Sequence, residues 1–427
     1  MKGMIDMNRY MPRLIDDVLK RKMKLYGAVV VEGCKWCGKS TTCMQVAKSN
    51  ISFQNPDEYE NNSMIADTKP SLFLQHDKPL LIDEWQVFPT VWDSIRYDVD
   101  RTGNKGDYLL TGSATPSTVT PKHSGTGRIV RLLMRPMSLY ESNESIGTVS
   151  LGDLFDGKLD INSISKLSLE DYAYLLTRGG WPESIKVSKD LSFDYAKDYI
   201  ESITNTEIKQ IDDVDRNSLK IKSFLRSLGR NISTTVNLST IREDVKNSRN
   251  DISEKTISDY ISAFERMYVI DDVEAWNPKL RSKAAIRISK KRELVDPSLA
   301  MASIGATDKD LLKDLNTFGF MFEALCIRDL KIYSQYLDGK VYYYRDSNDL
   351  ECDAVIHLNN GKWCLIEIKL GGNKAQEEAA KNLLKIKSII DEKEMGEPSF
   401  MMILTATEYA FKRDDGILVV PLGCLKN

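Results

Sequence analysis

The sequence predicts an α/β protein in three parts, and three observations carry the prediction. Residues 33–40 read GCKWCGKS, set between a β-branched apolar run and a helical one. Residues 218–268 hold three short helical stripes, and a hairpin-like segment follows them. Residues 318–422 then run helix, three strands, helix and further strands. The expected boundaries are 1–150, 151–300 and 301–427.

A chain of 427 residues has room for several domains and ample core. Hydrophobic content of 42% and charged content of 28% are those of a globular protein. A net charge of -3 argues against a generally basic nucleic-acid coat and leaves local basic patches open. The N-terminus turns polar too soon for a secretion signal, and no apolar run reaches membrane-spanning length. A cytoplasmic location without membrane contact is expected. The seven cysteines are scattered, which suggests reduced thiols rather than a disulfide framework.

In the first part, YGAVVVEG reads as a buried strand and STTCMQVAKS as a helix. GCKWCGKS between them fits the phosphate-binding pattern G-x-x-x-x-G-K-[ST], or Walker A. Cys34 and Cys37 also form a Cys-x-x-Cys pair. A zinc site would need a second pair, and the only histidines, His76, His123 and His357, stand apart. The stretch is therefore read as a phosphate loop. Gly33, Cys34, Lys35, Trp36, Cys37, Gly38, Lys39, Ser40 and Thr41 form the expected binding set. Their backbone N–H groups cradle anionic oxygens, Lys39 reaches the β- and γ-phosphates, and Ser40 ligates Mg²⁺.

KPLLIDEWQ supplies the apolar strand ending in acids that a Walker B element requires. Asp83 is expected to hold Mg²⁺, and Glu84 to act as general base on the attacking water. The strand in DYLLTGSAT ends in Thr111, Gly112 and Ser113, which either sets Ser113 beside the γ-phosphate or forms a plain strand-to-loop turn. The stretch Asn104-Lys105-Gly106-Asp107 imitates a guanine reader, but it precedes its strand rather than following it. It reads as a turn, and ATP is favoured over GTP. In GRIVRLLMRPMSLYE, Arg128, Arg131 and Arg135 alternate with apolar residues as on a strand. One of them, with Arg128 as candidate, could neutralise transition-state charge in cis or across the boundary of a homo-oligomer. The alternative is a solvated strand face.

These stretches, together with RYMPRLIDDVL before the loop and LTRGGWPES after it, resemble prokaryotic AAA-type ATP-binding proteins that carry a large C-terminal domain of unknown function. The resemblance runs essentially the whole length. It implies ATP and Mg²⁺ as cofactors. In that family the loop usually carries Pro-Arg and a small or apolar residue where this chain has Cys34, Lys35 and Cys37.

Three helices, SLKIKSFLRSLGR, LSTIREDVK and SEKTISDYISAFERMY, precede the hairpin-like segment and predict a winged helix-turn-helix. Ser253 is placed to cap the third helix. That helix is net negative and poor for groove reading. The basic wing from Lys279 to Arg292 holds Lys279, Arg281, Lys283, Arg287, Lys290, Lys291 and Arg292. It could contact DNA or RNA phosphates, or the module could serve protein contacts alone.

The last part follows the element order of a PD-(D/E)XK restriction-endonuclease-like domain. Asp353 falls on the second strand, and Glu367 and Lys369 share one face of the third. Glu323 on the first helix is a further candidate acid, and Gln376 opens the next helix. Asp353 and Glu367 are the expected Mg²⁺ ligands, with Lys369 orienting water or stabilising charge. A fold of this kind can be active or silent, so the sequence leaves two readings. One is an ATP-driven switch acting with nucleic acid. The other is an ATP-controlled docking module with a silent nuclease fold.

Overall fold

Five parallel strands order the N-terminal sheet as β2-β3-β4-β1-β5. They are β1 Ala28–Glu32, β2 Ser49–Ser52, β3 Leu80–Asp83, β4 Tyr108–Gly112 and β5 Ile129–Leu133. AVVVE and YLLTG are buried along their whole length, as central strands covered on both faces should be. The helices of this part are α1 Ile15–Leu25, α2 Lys39–Met44, α3 Tyr59–Thr68 and α4 Thr90–Thr102. The core gathers Phe53, Phe73, Trp85, Phe88 and Trp92 over Val30, Ile82 and Leu110. The helix expected over STTCMQVAKS stops at Met44, and β2 starts five residues later.

This computed structural model divides into two units. One is made of Met1–Pro136, Asn205–Arg216 and Ser262–Val269, the other of Met137–Thr204, Asn217–Ile261 and Ile270–Asn427. The structure describes residues 10–114, 124–205, 208, 217–247, 252–278, 289–346 and 348–427. Among the described residues no helix is long and apolar enough to cross a membrane.

The three expected helices run Ser218–Arg230, Leu238–Asn247 and Glu254–Arg266, of which Ser262–Arg266 falls in the first unit and the rest in the second. Asp244 accepts from both Ser227 and Arg230 at 2.8 Å, and Phe224 packs edge-on against Tyr260. Ser253 caps the third helix by accepting from the Thr256 N–H at 3.1 Å. The following segment makes isolated antiparallel pairs, Ile270 with Leu294 and Val273 with Lys291.

The C-terminal part keeps the order read from the sequence: helix Leu315–Tyr336, strands Gly339–Arg345, Glu351–Leu358 and Trp363–Lys369, helix Asn373–Ile389 and strand Met401–Thr405. The first three strands are antiparallel neighbours, and Trp363–Lys369 pairs in parallel with Met401–Thr405. Leu418–Pro421 joins in parallel, and Tyr409–Lys412 and Ser163–Ile164 complete a seven-stranded sheet. Helix Asn373–Ile389 lays Ala379, Leu383 and Ile386 on Val355, Trp363 and Leu365.

The LTRGGWPES stretch docks into this unit through polar groups. Trp181 is fully buried, stacks on Tyr199 and donates to Ser298 at 3.0 Å. The Gly180 N–H donates at 2.9 Å to Asp296, which also accepts from Arg328 at 2.8 Å. A Cβ at Gly180 would stand 2.2 Å from the Met137 carbonyl oxygen, so only glycine allows this approach.

Candidate functional site

The phosphate loop leaves the buried end of β1 and enters α2 through Gly38, whose φ is 101°. A Cβ on Gly33 would fall 2.1 Å from the Met134 carbonyl oxygen, so this close passage requires glycine. Lys39 is buried and donates to the Cys34 carbonyl at 2.8 Å, which turns its ammonium into the loop. Trp36 lies at the outer side of the loop, 47% exposed, with φ 64°. Cys34 and Cys37 are both buried free thiols. Burial pushes the Cys37 thiol up, but its hydrogen bond with Cys34 and the charges of Lys39 and Arg13 outweigh burial and hold it at about 6.

The acids at the end of β3 meet this loop. Ser40 donates to Asp83 Oδ1 at 2.5 Å, and the Thr111 hydroxyl of β4 donates to the same oxygen. Glu84 follows with φ 55°, its N–H donating to Thr111 at 3.3 Å. The Ser113 hydroxyl donates to Glu84 Oε2 at 3.0 Å, and Gln86 donates to the same oxygen. Ser40 and Asp83 thus present adjacent hard oxygens, the donor type Mg²⁺ takes. Thr41 follows Ser40 in the first turn of α2, and its carbonyl accepts from Gln45 at 3.0 Å. Asn104 bonds to Asp107 at 2.9 Å just before β4, forming the expected turn.

Arg128 requires a correction. It lies one residue before β5, whose Ile129 pairs with Ala28 and whose Leu133 pairs with Glu32. The loop leaves the other end of β1, about 13 Å away along four strand residues. Arg128 is instead bound to Asp100 at 2.5 Å and does not reach the loop of its own chain. Arg131 pairs with Glu32 at the loop end of β1, and its guanidinium lies over the Trp92 ring at 5.1 Å.

Arg13 has a part that the sequence reading did not assign. It is buried and donates to the Cys37 carbonyl at 2.9 Å and to the Arg135 carbonyl at 2.8 Å. It ties the loop to the chain beyond β5. Nearby, the Tyr10 hydroxyl bonds to Asp16 at 2.6 Å and to Thr42 at 2.9 Å.

The second unit brings Asp353, Glu367, Lys369 and Glu323 together. Asp353 Oδ2 accepts from the Ile368 N–H at 2.7 Å and faces Lys369 Nζ at 3.1 Å. Lys369 also pairs with Glu367 at 2.7 Å, whose other oxygen accepts from Asn382 at 2.7 Å. Lys291 Nζ stands 2.7 Å from Glu323, 2.9 Å from Glu351 and 4.0 Å from Asp353. Burial pushes Glu367 up to about 8, with the Asp353 charge adding to the rise, and burial takes Glu323 to about 7. For Asp353 burial is outweighed by Lys369 and Lys291, which hold its carboxyl below the ordinary value. Gln376 is buried in the first turn of its helix. Among the described residues no group of three or more His, Cys, Asp or Glu side chains is arranged to hold a metal ion.

The basic wing is corrected in part. Lys291 is buried, and Arg292 pairs with Asp272 at 2.5 Å with 16% of its side chain exposed. Both are turned inward by acids rather than offered to phosphates. Lys290 is exposed, whereas Lys279, Arg281, Lys283 and Arg287 lie outside the described residues.

The loop, the paired acids and the parallel sheet define a P-loop ATPase domain. Residues 26–143 match the model of an AAA domain. Residues 318–425 match a domain of unknown function, DUF4143, and residues 169–310 another, DUF8612. An uncharacterized protein of Haemophilus influenzae is 22% identical over 347 residues, which cover 75% of this chain and 78% of that protein. Among solved structures, the Walker-type ATPase of Pyrococcus abyssi aligns with a TM-score of 0.42 and 15% identity, covering 70% of this chain and 97% of its own. A RuvB variant of Thermotoga maritima aligns with a TM-score of 0.27 and 13% identity, covering 60% of this chain and 88% of its own.

Proposed function

We propose that the chain is a Mg²⁺-dependent ATP hydrolase whose turnover controls the state of its C-terminal unit. The observation that carries this reading is the meeting of Ser40, Asp83 and Thr111, with Glu84 held one residue further on. Lys39 and the loop N–H groups bind phosphate charge, and Ser40 and Asp83 would hold Mg²⁺, which supplies charge neutralisation on the phosphates when bound. Glu84 takes the proton of the attacking water, with Ser113 and Gln86 fixing the orientation of its carboxylate. Arg128 enters this scheme only across a subunit boundary, in a homo-oligomer.

For the remainder we propose a winged helix-turn-helix and a PD-(D/E)XK-like fold that serve docking rather than cutting. The order of elements supports the fold. Lys291, seated on Glu323 and Glu351 beside Asp353, favours the silent form over a cleaving one. A nucleic-acid contact, to DNA or RNA, would have to be made without Lys291 and Arg292.

Phosphate release by the purified full chain tests the first reading. The wild type should consume ATP only with Mg²⁺. Lys39→Ala should weaken nucleotide binding, whereas Glu84→Gln should bind ATP and turn over about 10² to 10⁴ times more slowly. Hydrolysis by Glu84→Gln at the wild-type rate would remove Glu84 from the base role.

A further inference from the structure

We propose that Lys291 occupies the place of a divalent cation in the acid cluster of the C-terminal unit and closes that cluster to metal. The inference rests on reading this part as a silent nuclease-like fold, and it identifies the residue that silences it.

The argument begins with the oxygens a metal would need. Mg²⁺ and Mn²⁺ take several oxygen ligands at about 2.0–2.2 Å, with carboxylates supplying the charge. Here the carboxylates are already engaged. Asp353 turns Oδ2 to Lys369 and to the Ile368 N–H, and its Oδ1 faces Lys291. Glu367 gives one oxygen to Lys369 and the other to Asn382. Glu323 and Glu351 each give an oxygen to Lys291. Two ammonium groups thus deliver two positive charges to four carboxylates, the charge that one divalent ion would bring.

Lys291 is no surface lysine that has folded over by chance. Its side chain is only 3% exposed, and an ammonium taken so far out of water persists only where carboxylates compensate it. Its backbone is pinned from both directions, with the Lys291 N–H donating to the Val273 carbonyl and the Val273 N–H to the Lys291 carbonyl, each at 2.9 Å. The Tyr343 ring lies 5.5 Å from the ammonium, and the Tyr343 hydroxyl donates to the Ser289 carbonyl two residues earlier. The chain therefore delivers this one cation to a fixed point among the acids. Lys369 supplies the second from the strand that carries Glu367.

Electron paramagnetic resonance of Mn²⁺ added to the nucleotide-free full chain tests the proposal, with Asp353→Asn as the reference. Wild type and Asp353→Asn should take up Mn²⁺ alike. Lys291→Met, which keeps the volume and removes the charge, should gain one ion bound at least about tenfold more tightly than any Asp353-dependent ion in the wild type. That ion should vanish in Lys291→Met combined with Asp353→Asn. Lys291→Arg should behave as wild type. Should Lys291→Met fold poorly, Mn²⁺ restoring its thermal midpoint would support the proposal, and failure to restore it would count against it. Asp353-dependent Mn²⁺ uptake by the wild type within about tenfold of the affinity of Lys291→Met would overturn both the proposal and the silent reading. A folded Lys291→Met that gains no ion would overturn the role of Lys291 and leave the silent reading standing.

Discussion

Ser40 and Asp83 are 2.5 Å apart, hydroxyl to carboxylate, although β4 separates the strands that bring them there. β4 contributes Thr111, whose hydroxyl donates to the same Asp83 oxygen and accepts from the Glu84 N–H. One buried threonine thus fixes both Asp83, proposed to hold Mg²⁺, and the turn that carries Glu84, the proposed base. Thr111→Val keeps the shape and removes these bonds. It should lower ATP turnover by about tenfold and raise the Mg²⁺ concentration needed for half-maximal rate, since a hydrogen bond to a charged group is worth roughly 1.5–3 kcal/mol. A magnesium titration of steady-state phosphate release checks this, and an unchanged titration would assign Thr111 to packing alone.

The cysteine pair should be dispensable. The loop acts through main-chain groups, and the Cys34 carbonyl that receives Lys39 survives any change of side chain. Cys34→Ala with Cys37→Ala removes a weak Cys37 bond to the Met134 carbonyl at 3.6 Å, the contact between the two thiols and the Cys37 contact with the Lys39 backbone. In reductant the double variant should bind ATP within about threefold of wild type. Titration with a fluorescent ATP analogue measures this, and stoichiometric zinc present in wild type and lost in the variant would refute the phosphate-loop reading of the pair.

Local structure was legible in the sequence, and long-range engagement was not. The loop declares itself within eight residues, and the strand-end acids within one short run, because both signals are set by backbone period and adjacency. The C-terminal helix and strands were readable for the same reason. Arg13 and Lys291 were not, because their partners lie far along the chain and a basic residue defaults to the surface. For Lys291 the run Lys290-Lys291-Arg292 pointed to a solvated wing, whereas acids far along the chain, Glu323 for Lys291 and Asp272 for Arg292, draw both side chains inward. For Arg128 the signal was present and unused. It precedes its strand, and ligands gather at the carboxyl ends of parallel strands.

The buried network around Arg328 should be the stability anchor of the second unit. Arg328 bonds to Asp296 and Asp329 at 2.8 Å with both acids fully buried, and Asp296 also holds the Gly180 N–H. Asp296→Ala removes one counter-charge and orphans that N–H. It should cost about 3–5 kcal/mol, the range for breaking a buried ion pair from one side. Urea unfolding followed by tryptophan fluorescence reads this through Trp181, and a loss below about 1 kcal/mol would show that Asp329 suffices alone.

Glu293 should make the second unit more stable in mild acid than in mild base. Its side chain is buried, one oxygen accepts from Ser233 at 2.9 Å, and the other has no hydrogen-bond partner among the described residues. Burial raises its pKa from 4.5 to about 8, with Glu323 adding to the rise and Lys331 and Lys291 opposing it. The folded form therefore holds the proton more tightly than the unfolded chain does. The resulting stability is complete below the ordinary value and is lost as pH rises through the folded one. Glu293→Gln keeps an acceptor for Ser233 and cannot ionise, so it should gain on wild type as pH rises. Scanning calorimetry at about pH 5.5 and about pH 8.5 compares the two proteins across that window. The fall in Tm between those conditions should be smaller in Glu293→Gln by about 3 °C or more. An equal fall in both proteins would mean that Glu293 is ionised throughout, held so by Lys331 and Lys291.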